Sequence, residues 1–419
     1  MTVSATQKDL VPFGSTEPIP KCIDRYEVRG LLGQGAMGRV YLAYDPKLSR
    51  EVAIKAVGAE FAQHARARER FHREARAVAA LKHPNIVEIF DYSGEGANDT
   101  YLVMEKIVGP DLFALVDKRG PLPEAVAAAI VHELCRALEY AHLSGVIHRD
   151  LKPENVLVEW NGRVVLTDFG LVKAFAPHNT LGTRSFGHTD VIGTPGFMSP
   201  EQVRGEALGP HTDVFALGAL FYNLLTGRLP FAGTTPYAAM ESAMAGKYDD
   251  PRATHADISD TTIALLADCL NAQPKKRLQS MRVIRDRLMP IFRNCGVIDP
   301  RDEIARYLRA PDVHRNELRW REVRSLRDRI KLATLDGDIK RLQRLRQRLK
   351  LLADISAPAE PRQPRRVLRT TWTQHFSSAL LAIVAGLVLG AVFGLCFGKP
   401  SHGRASSPVQ KIIARVHPV

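Results

Sequence analysis

Between Asp24 and Ala97 the apolar positions come in short alternating runs broken by turn residues, the period-two pattern of half-buried strands. Arg39-Val40-Tyr41-Leu42-Ala43-Tyr44 is such a run and stops at the turn signal Asp45-Pro46; Val52-Ala53-Ile54-Lys55 is the next. One helix, over about Ala65 to Leu81, is predicted among them. From Pro121 the spacing turns helical, as in EAVAAAIVHELCRALEYAHLSG. A hairpin interrupts it, with NVLVE and RVVLTD on either side of the turn Asn161-Gly162. The pattern predicts an α+β chain: a small β-rich lobe followed by a larger helical lobe, together spanning residues 24–293.

The flanks read differently. Residues 1–23 carry Pro12, Gly14, Pro18 and Pro20 and are expected to form a loose leader. Residues 299–355 are charged and helix-forming, with a break from Leu335 to Asp338. Leu335, Ile339, Leu342 and Leu349 suggest a coiled-coil seam, but Arg346 occupies a seam position, and a helical hairpin packing on itself fits equally well. Residues 356–375 form a Pro/Arg-rich linker. Residues 376–398, FSSALLAIVAGLVLGAVFGLCFG, hold no charge over 23 positions, enough at about 1.5 Å per residue to cross a hydrocarbon core of about 30 Å. The competing reading is a buried C-terminal helix of a soluble protein, which so much glycine would weaken. Gly386, Gly390, Gly394 and Gly398 recur every fourth residue, with Ser378 and Ala382 continuing the row. Such a stripe lets two membrane helices pack closely; glycine merely facing lipid is the alternative. A tail over 399–419 follows, 21 residues long and too short for a folded sensor domain.

Charge sharpens this division. The net charge is +13, and residues 291–375 alone carry 21 Lys and Arg against 11 Asp and Glu, so the first 290 residues are close to neutral. The five cysteines (Cys22, Cys135, Cys269, Cys295, Cys396) are odd in number, dispersed and without C-x-x-C spacing, which argues against a disulfide framework or a zinc site. No secretory signal peptide is read at the N-terminus.

Candidate chemistry begins at LLGQGAMGRV, where Gly33, Gly35 and Gly38 are spaced G-x-G-x-x-G. In a dinucleotide site that spacing leads from a strand into a helix; in the alternative it forms a hairpin over the phosphates of ATP, strand to strand. Here β-formers follow Gly38, and no acidic residue stands at a strand end about 20 residues on, as a ribose would require. Four further stretches come in order: Val52-Ala53-Ile54-Lys55, His148-Arg149-Asp150-Leu151-Lys152-Pro153-Glu154-Asn155, Asp168-Phe169-Gly170, and Gly193-Thr194-Pro195-Gly196-Phe197-Met198-Ser199-Pro200-Glu201. With these motifs the region from Asp24 to Arg293 resembles the eukaryotic-type (Hanks) Ser/Thr protein kinase family, in particular its membrane-anchored bacterial members.

The resemblance implies a bilobal protein kinase fold, a site for ATP as substrate, and Mg²⁺ as cofactor, with Mn²⁺ a possible substitute. By family position, Asp150 is the base that accepts the substrate hydroxyl proton and Lys152 steadies the transferred group. Lys55 holds the α- and β-phosphates, with Glu74 as its anionic partner. Asn155 and Asp168 offer oxygen ligands to the metal. The loop Leu32, Gly33, Gln34, Gly35, Ala36, Met37, Gly38, Arg39 and Val40 covers the nucleotide, because without a Cβ the glycine amides can approach phosphate. Val40, Ala53 and Leu157 sandwich the adenine, Met104 guards the back of its pocket, and Glu105 to Ile107 form the hinge that reads it. Glu201 and Arg277 match a buried ion pair, and Asp213 the brace of the catalytic loop. Lys152 and Thr194 favour Ser/Thr over Tyr acceptors.

Arg149, beside Asp150, is expected to receive a phosphate on the activation segment. Thr189 is the favoured phosphosite, Thr183 and Ser185 are the runners-up, and Thr194 is expected to be a structural contact. Phe197 and Ser199 stand where the family commonly has Tyr and Ala, which bears on substrate preference. Four cations precede the span (Arg362, Arg365, Arg366, Arg369) and four follow it (Lys399, Arg404, Lys411, Arg415), so charge does not orient it. The supply of ATP does: the expectation is a single-pass protein with a cytoplasmic catalytic domain and its C-terminal tail outside. Expected partners are protein substrates, a second copy through the glycine stripe, and anionic lipid at the basic juxtamembrane segment; no recognition module for nucleic acid accompanies the charge. The alternative from another class is a pseudokinase scaffold, whose signature would be the loss of Lys55, Asp150 or Asp168; all three are present.

Overall fold

Six strands alternate their side chains between two environments and so make one sheet with two apolar faces. They are β1 (Cys22–Ile23), β2 (Tyr26–Gly35), β3 (Gly38–Asp45), β4 (Arg50–Val57), β5 (Ile89–Tyr92) and β6 (Tyr101–Glu105), all antiparallel in the order β1-β2-β3-β4-β6-β5. On one face Val52 and Ile54 pack with Tyr26, Ala43, Tyr101 and Val103. On the other, Ala53, Leu102 and Met104 join the main core. Helix α1 (Ala65–Ala79) adds Phe71, Ala75 and Val78 to that core, ending two residues before the predicted boundary. The computed structural model describes residues 18–35, 38–57, 65–93, 100–169 and 195–354. Cys22 and Ile23, assigned to the leader from sequence, pair with Glu27 and Tyr26 and belong to the sheet.

The second lobe is helical: α2 (Leu112–Arg119), α3 (Glu124–Leu143), α4 (Pro200–Arg204), α5 (Pro210–Thr226), α6 (Pro236–Ala245), α7 (Asp260–Cys269) and α8 (Met281–Cys295). An unbroken buried run from Ala125 to Val131 makes α3 the central helix, apolar around its circumference rather than along one stripe. Between α3 and α4 lies the hairpin of β7 (Val156–Val158) and β8 (Val164–Leu166), with Gly162 at φ +84° in its turn. Cys22, Cys135, Cys269 and Cys295 are free thiols; Cys396 lies outside the described residues.

The charged segment does not stand apart from this lobe. Helices α9 (Pro300–Arg309), α10 (Pro311–Leu335) and α11 (Ile339–Asp354) follow, and Ile304, Tyr307, Leu308 and Leu318 enter the main core. Arg119 donates to the Tyr307 and Leu308 carbonyls at 3.3 and 3.1 Å, closing the end of α9. The hairpin turn is pressed against α9: a Cβ at Gly162 would fall 2.0 Å from the Arg301 carbonyl oxygen. Helices α10 and α11 form a hairpin of their own around Leu326, Ala333, Leu345 and Leu352, with Leu342 and Leu349 packed alongside. Of the two readings of this segment, the self-packing hairpin is the one observed. Leu335 and Ile339 are exposed at its bend and do not belong to a seam, and Arg346 points to solvent. The inner row is instead Leu342, Leu345, Leu349 and Leu352, with Leu345 taking the place given to Arg346. The linker, the apolar stretch 376–398, its glycine stripe and the tail lie outside the described residues; among the described residues no helix is long and apolar enough to cross a membrane.

A buried carboxylate locks α9 to α10. Glu303 accepts from His314 Nε2 at 2.8 Å, from both terminal nitrogens of Arg321 at 2.6 and 3.0 Å, and from Arg306. Burial alone would push its pKa up; the hydrogen bonds and charges of His314 and Arg321 bring it down to about 2. Its folded pKa is thus below the unfolded value, so the stabilisation is present above about pH 4.5 and is lost as pH falls towards 2. Glu303→Gln should cost about 3 kcal/mol, because it leaves the cations of a buried cluster undercompensated. A urea midpoint unchanged from wild type at pH 7 would refute this account of the cluster.

Candidate active site

The loop between α3 and β7 is organised from behind by Asp213, the fourth residue of α5 and completely buried. Its Oδ2 accepts from the His148 amide at 2.9 Å and lies 2.7 Å from His142 Nε2; its Oδ1 accepts from the Arg149 amide at 2.9 Å. Burial opposes the charge, but these donors hold the pKa below the usual carboxylate range. Arg149 is thereby kept at φ +66°, a left-handed conformation costly for a side chain of its size. His148 is fixed as well. Its Nε2 lies 2.8 Å from the Thr167 carbonyl and must donate, so its Nδ1 is free to accept from the Asp150 amide at 3.2 Å. Burial lowers the pKa of His148, which favours this neutral tautomer.

On the loop's outer side the predicted residues converge. Asn155 Nδ2 donates to the Asp150 carbonyl at 2.7 Å and to its Oδ2 at 3.1 Å, and Lys152 Nζ stands 3.7 Å from the same oxygen. The Asn155 carbonyl accepts from the Thr167 amide and hydroxyl, tying the loop to the strand end that presents Asp168. Asp168 sits at φ +55°, and Phe169, directly after it, packs its ring 4.7 Å from that of His148. Asn155 spends its amide nitrogen on Asp150, which leaves its oxygen and the Asp168 carboxylate as hard donors on one wall. That set suits Mg²⁺ or Mn²⁺ rather than a soft metal. Among the described residues no group of three or more His, Cys, Asp and Glu gathers to hold a metal.

The Lys55–Glu74 pair expected from sequence is not formed among the described residues. Lys55 Nζ lies 2.8 Å from Asp168 Oδ1, whereas Glu74 on α1 faces Arg149 Nη1 at 3.5 Å. Each cation has taken the carboxylate presented to it: Asp168 by the turn after β8, Glu74 by the inner face of α1.

The glycine loop is the β2–β3 turn, where Gly35 pairs with Gly38. A Cβ at Gly33 or Gly35 would meet nothing within 4 Å, so these two leave an open, Cβ-free approach to the backbone. Gly38 has a different reason: at φ +135° its Cβ would lie 2.0 Å from the Ala56 carbonyl oxygen. Val40 pairs with Lys55, and Ala53 with Met104, placing all four around one end of the sheet. Leu32 and Gln34 are exposed, while Arg39, Ile107 and Leu157 are half-buried. Ala36, Met37, Thr183, Ser185, Thr189 and Thr194 lie outside the described residues.

Two further pairs are built into the frame. Arg277 holds Glu201 bidentately at 2.7 and 2.8 Å with both side chains buried, and Thr212 donates to the same carboxylate at 3.0 Å. The other pair was not legible in sequence. Arg163, in the β7–β8 turn, donates twice to Glu105 at 2.9 Å, joining the hinge to the hairpin that follows the catalytic loop. Gln202 also escaped the motif reading; its side chain donates to the Arg149 carbonyl at 2.7 Å.

The profile described as "Protein kinase domain" matches residues 26–289. The chain belongs to the protein kinase family. Among curated kinases it is 37% identical to the serine/threonine-protein kinase PknB of Mycolicibacterium smegmatis over 272 residues, which is 64% of this chain and 43% of that protein. It is also 37% identical to the serine/threonine-protein kinase PksC of Streptomyces coelicolor over 275 residues, 64% of this chain and 49% of the relative. The match thus spans less than half of these relatives. The crystal structure of the Mycobacterium tuberculosis PknI kinase domain superimposes with a TM-score of 0.52 at 27% identity, covering 64% of this chain and 96% of that one. The bilobal kinase fold is therefore shared, and the α9–α11 extension lies beyond the matched profile.

Asp213 makes a local prediction. Asp213→Asn replaces one acceptor by an NH₂ group facing an amide donor, and should speed hydrogen exchange at the His148 and Arg149 amides about tenfold or more. Unchanged exchange at both amides would mean that the loop is held by something else.

Proposed function

We propose that the chain is a Ser/Thr protein kinase, transferring the γ-phosphoryl group of ATP to Ser or Thr hydroxyls of proteins. The observation that carries this reading is the convergence of Asp150, Lys152 and Asn155 within 3.7 Å on one carboxylate, with Asp168 and Lys55 paired alongside. Phosphoryl transfer asks for positioning and charge neutralisation more than for covalent help. Asp150 is aimed by two neighbours, Asn155 and Lys152, and its carboxylate is the group suited to accept the proton of an incoming hydroxyl. Lys152 places a cation where negative charge builds up on the transferred group. Asn155 and Asp168 would hold the metal, which when bound neutralises phosphate charge. Lys55, now on Asp168, is the cation available to the α- and β-phosphates, and Gly33 and Gly35 leave their amides accessible to them. The likeness to kinases named serine/threonine-specific, together with Lys152 and Thr194 at the family positions, supports Ser/Thr acceptors.

The reading extends to the flanks on sequence grounds. Residues 376–398 anchor the chain as a single membrane span with the catalytic domain cytoplasmic and the tail outside. Gly386, Gly390, Gly394 and Gly398 pair two copies, and the pairing favours autophosphorylation of the activation segment at Thr189 by raising local concentration.

The test uses the full chain in detergent with Mg²⁺, γ-labelled ATP and a generic protein acceptor. Asp150→Asn and Lys55→Ala should each lose at least about 10²-fold in incorporation. Label mapped to Thr189 in the wild type and absent from both variants supports the activation step. A folded, ATP-binding wild type that transfers nothing moves the assignment to the pseudokinase scaffold.

A further inference from the structure

The outward face of α11 carries charge that nothing among the described residues balances. Lys340, Arg344, Arg346 and Lys350 are all exposed, and among the described residues none of the four forms an ion pair. No acidic residue occurs from Ile339 to Ala353. Lys340 and Arg344, and again Arg346 and Lys350, stand four residues apart, where like charges on a helix repel. The partner helix α10 is built in the ordinary solvated way: Asp312, Glu317, Glu322 and Asp328 are interspersed with its cations, and Lys331 pairs with Asp328 at 3.8 Å.

The inner face of α11 is committed elsewhere. Leu345 and Leu352 are buried against α10, and Arg348 reaches Glu322 at 2.8 Å and the half-buried Glu124 at 3.9 Å. Glu124 also accepts from Ser259 and Thr262. The helix is therefore docked by one side, and its exposed cations stand as two pairs flanking the outward face, Lys340 with Arg344 and Arg346 with Lys350, Arg344 also lining a cavity with Arg252 and Asp260. Directly after it, residues 355–375 add Arg362, Arg365, Arg366 and Arg369 before the uncharged stretch begins at Phe376.

We propose that the outward face of α11 binds the anionic headgroups of a phospholipid bilayer. The proposal rests on the reading of 376–398 as a membrane span. That reading supplies the occupant, since 21 residues tether α11 to the bilayer surface, within about 70 Å even when fully extended. An anionic surface cancels the repulsion within each pair without disturbing the inner face. It also sets which end of the kinase meets the membrane. Glu124, where α11 is clamped, is the first residue of α3, and the catalytic loop follows the other end of that 20-residue helix, about 30 Å away. Lipid contact at α11 then leaves the catalytic loop about one helix length from the lipid-facing helix.

Full-length protein in nanodiscs of phosphatidylcholine, with or without 30% phosphatidylglycerol as about the usual anionic fraction, is treated briefly with a water-soluble lysine acetylating reagent and read by mass spectrometry. Lys340 and Lys350 should be shielded about fivefold or more in the anionic discs, with shielding relieved in about 0.5 M salt, while exposed Lys47 and Lys118 react equally in both. Arg344→Gln with Arg346→Gln should weaken the shielding and leave phosphorylation of a soluble acceptor unchanged. Equal reactivity in the two discs overturns the proposal, as does shielding that ignores lipid charge, which would indicate a second copy. Shielding by added RNA but not by anionic lipid overturns it in favour of nucleic acid. Retention in the discs after an alkaline wash tests the span separately. Should the span fail, added phosphatidylglycerol vesicles must still shield both lysines for the proposal to stand.

Discussion

A carboxylate buried in an apolar helix is tolerated when every lone pair that matters is answered, and Asp213 shows what such a group can be used for. It sits where α5 passes behind the catalytic loop and takes two consecutive backbone amides and an imidazole. Those bonds force Arg149 into the left-handed region, and that reversal is what turns Asp150 outward while His148 stays in the core. His148 then orders the next layer, the Thr167 carbonyl on one nitrogen, the Asp150 amide on the other and Phe169 against its ring. The backbone geometry thus presents Asp150 to Asn155 and Lys152, which set the direction of its carboxylate.

Much of this was readable before any coordinates. Strand alternation around Val52 to Lys55 reports two faces because each face is buried against a different cluster. The ordered motifs bring Lys55, Asp150, Asn155 and Asp168 to one place because each lies at an element end, where position along the chain determines position in space. What sequence could not report were contacts between residues of ordinary type. Nothing marks Arg163 as the partner of Glu105, since arginines in turns are common and the pairing spans 58 residues. Glu74 was assigned by position alone, and position does not say which of two nearby cations a carboxylate will meet. The extension went astray for a related reason. Spacing locates an apolar row but is insensitive to a shift of one residue when leucines are dense, so Leu345 and not Arg346 faces inward, while Leu335 and Ile339 are exposed because they lie at the bend.

The extension also changes what counts as the folded unit. Core residues from α9 are as buried as those of the kinase profile, and Gly162 has no room for a side chain because α9 occupies it. The β7–β8 hairpin carries Leu157 at one end and leads to Asp168 at the other, so its turn is braced by a helix that lies outside the family match. A chain cut at the profile boundary would lose Ile291 and Phe292 from the core and expose the α3 surface that α9 covers. Stability and site geometry therefore draw on residues that family resemblance alone does not include.

The exchange of partners among Lys55, Glu74, Arg149 and Asp168 follows from the same economy of charge. Two cations and two carboxylates share one cleft, and with Lys55 on Asp168 the remaining pair is Glu74 with Arg149. A metal ion at Asp168 would compete with Lys55 for the same carboxylate. The separation of 3.5 Å between Arg149 and Glu74 is longer than the 2.8 Å between Lys55 and Asp168. On Coulombic grounds the looser pair is the easier to exchange. Arg149 therefore links two elements of the cleft, its backbone held by Asp213 on α5 and its side chain facing Glu74 on α1.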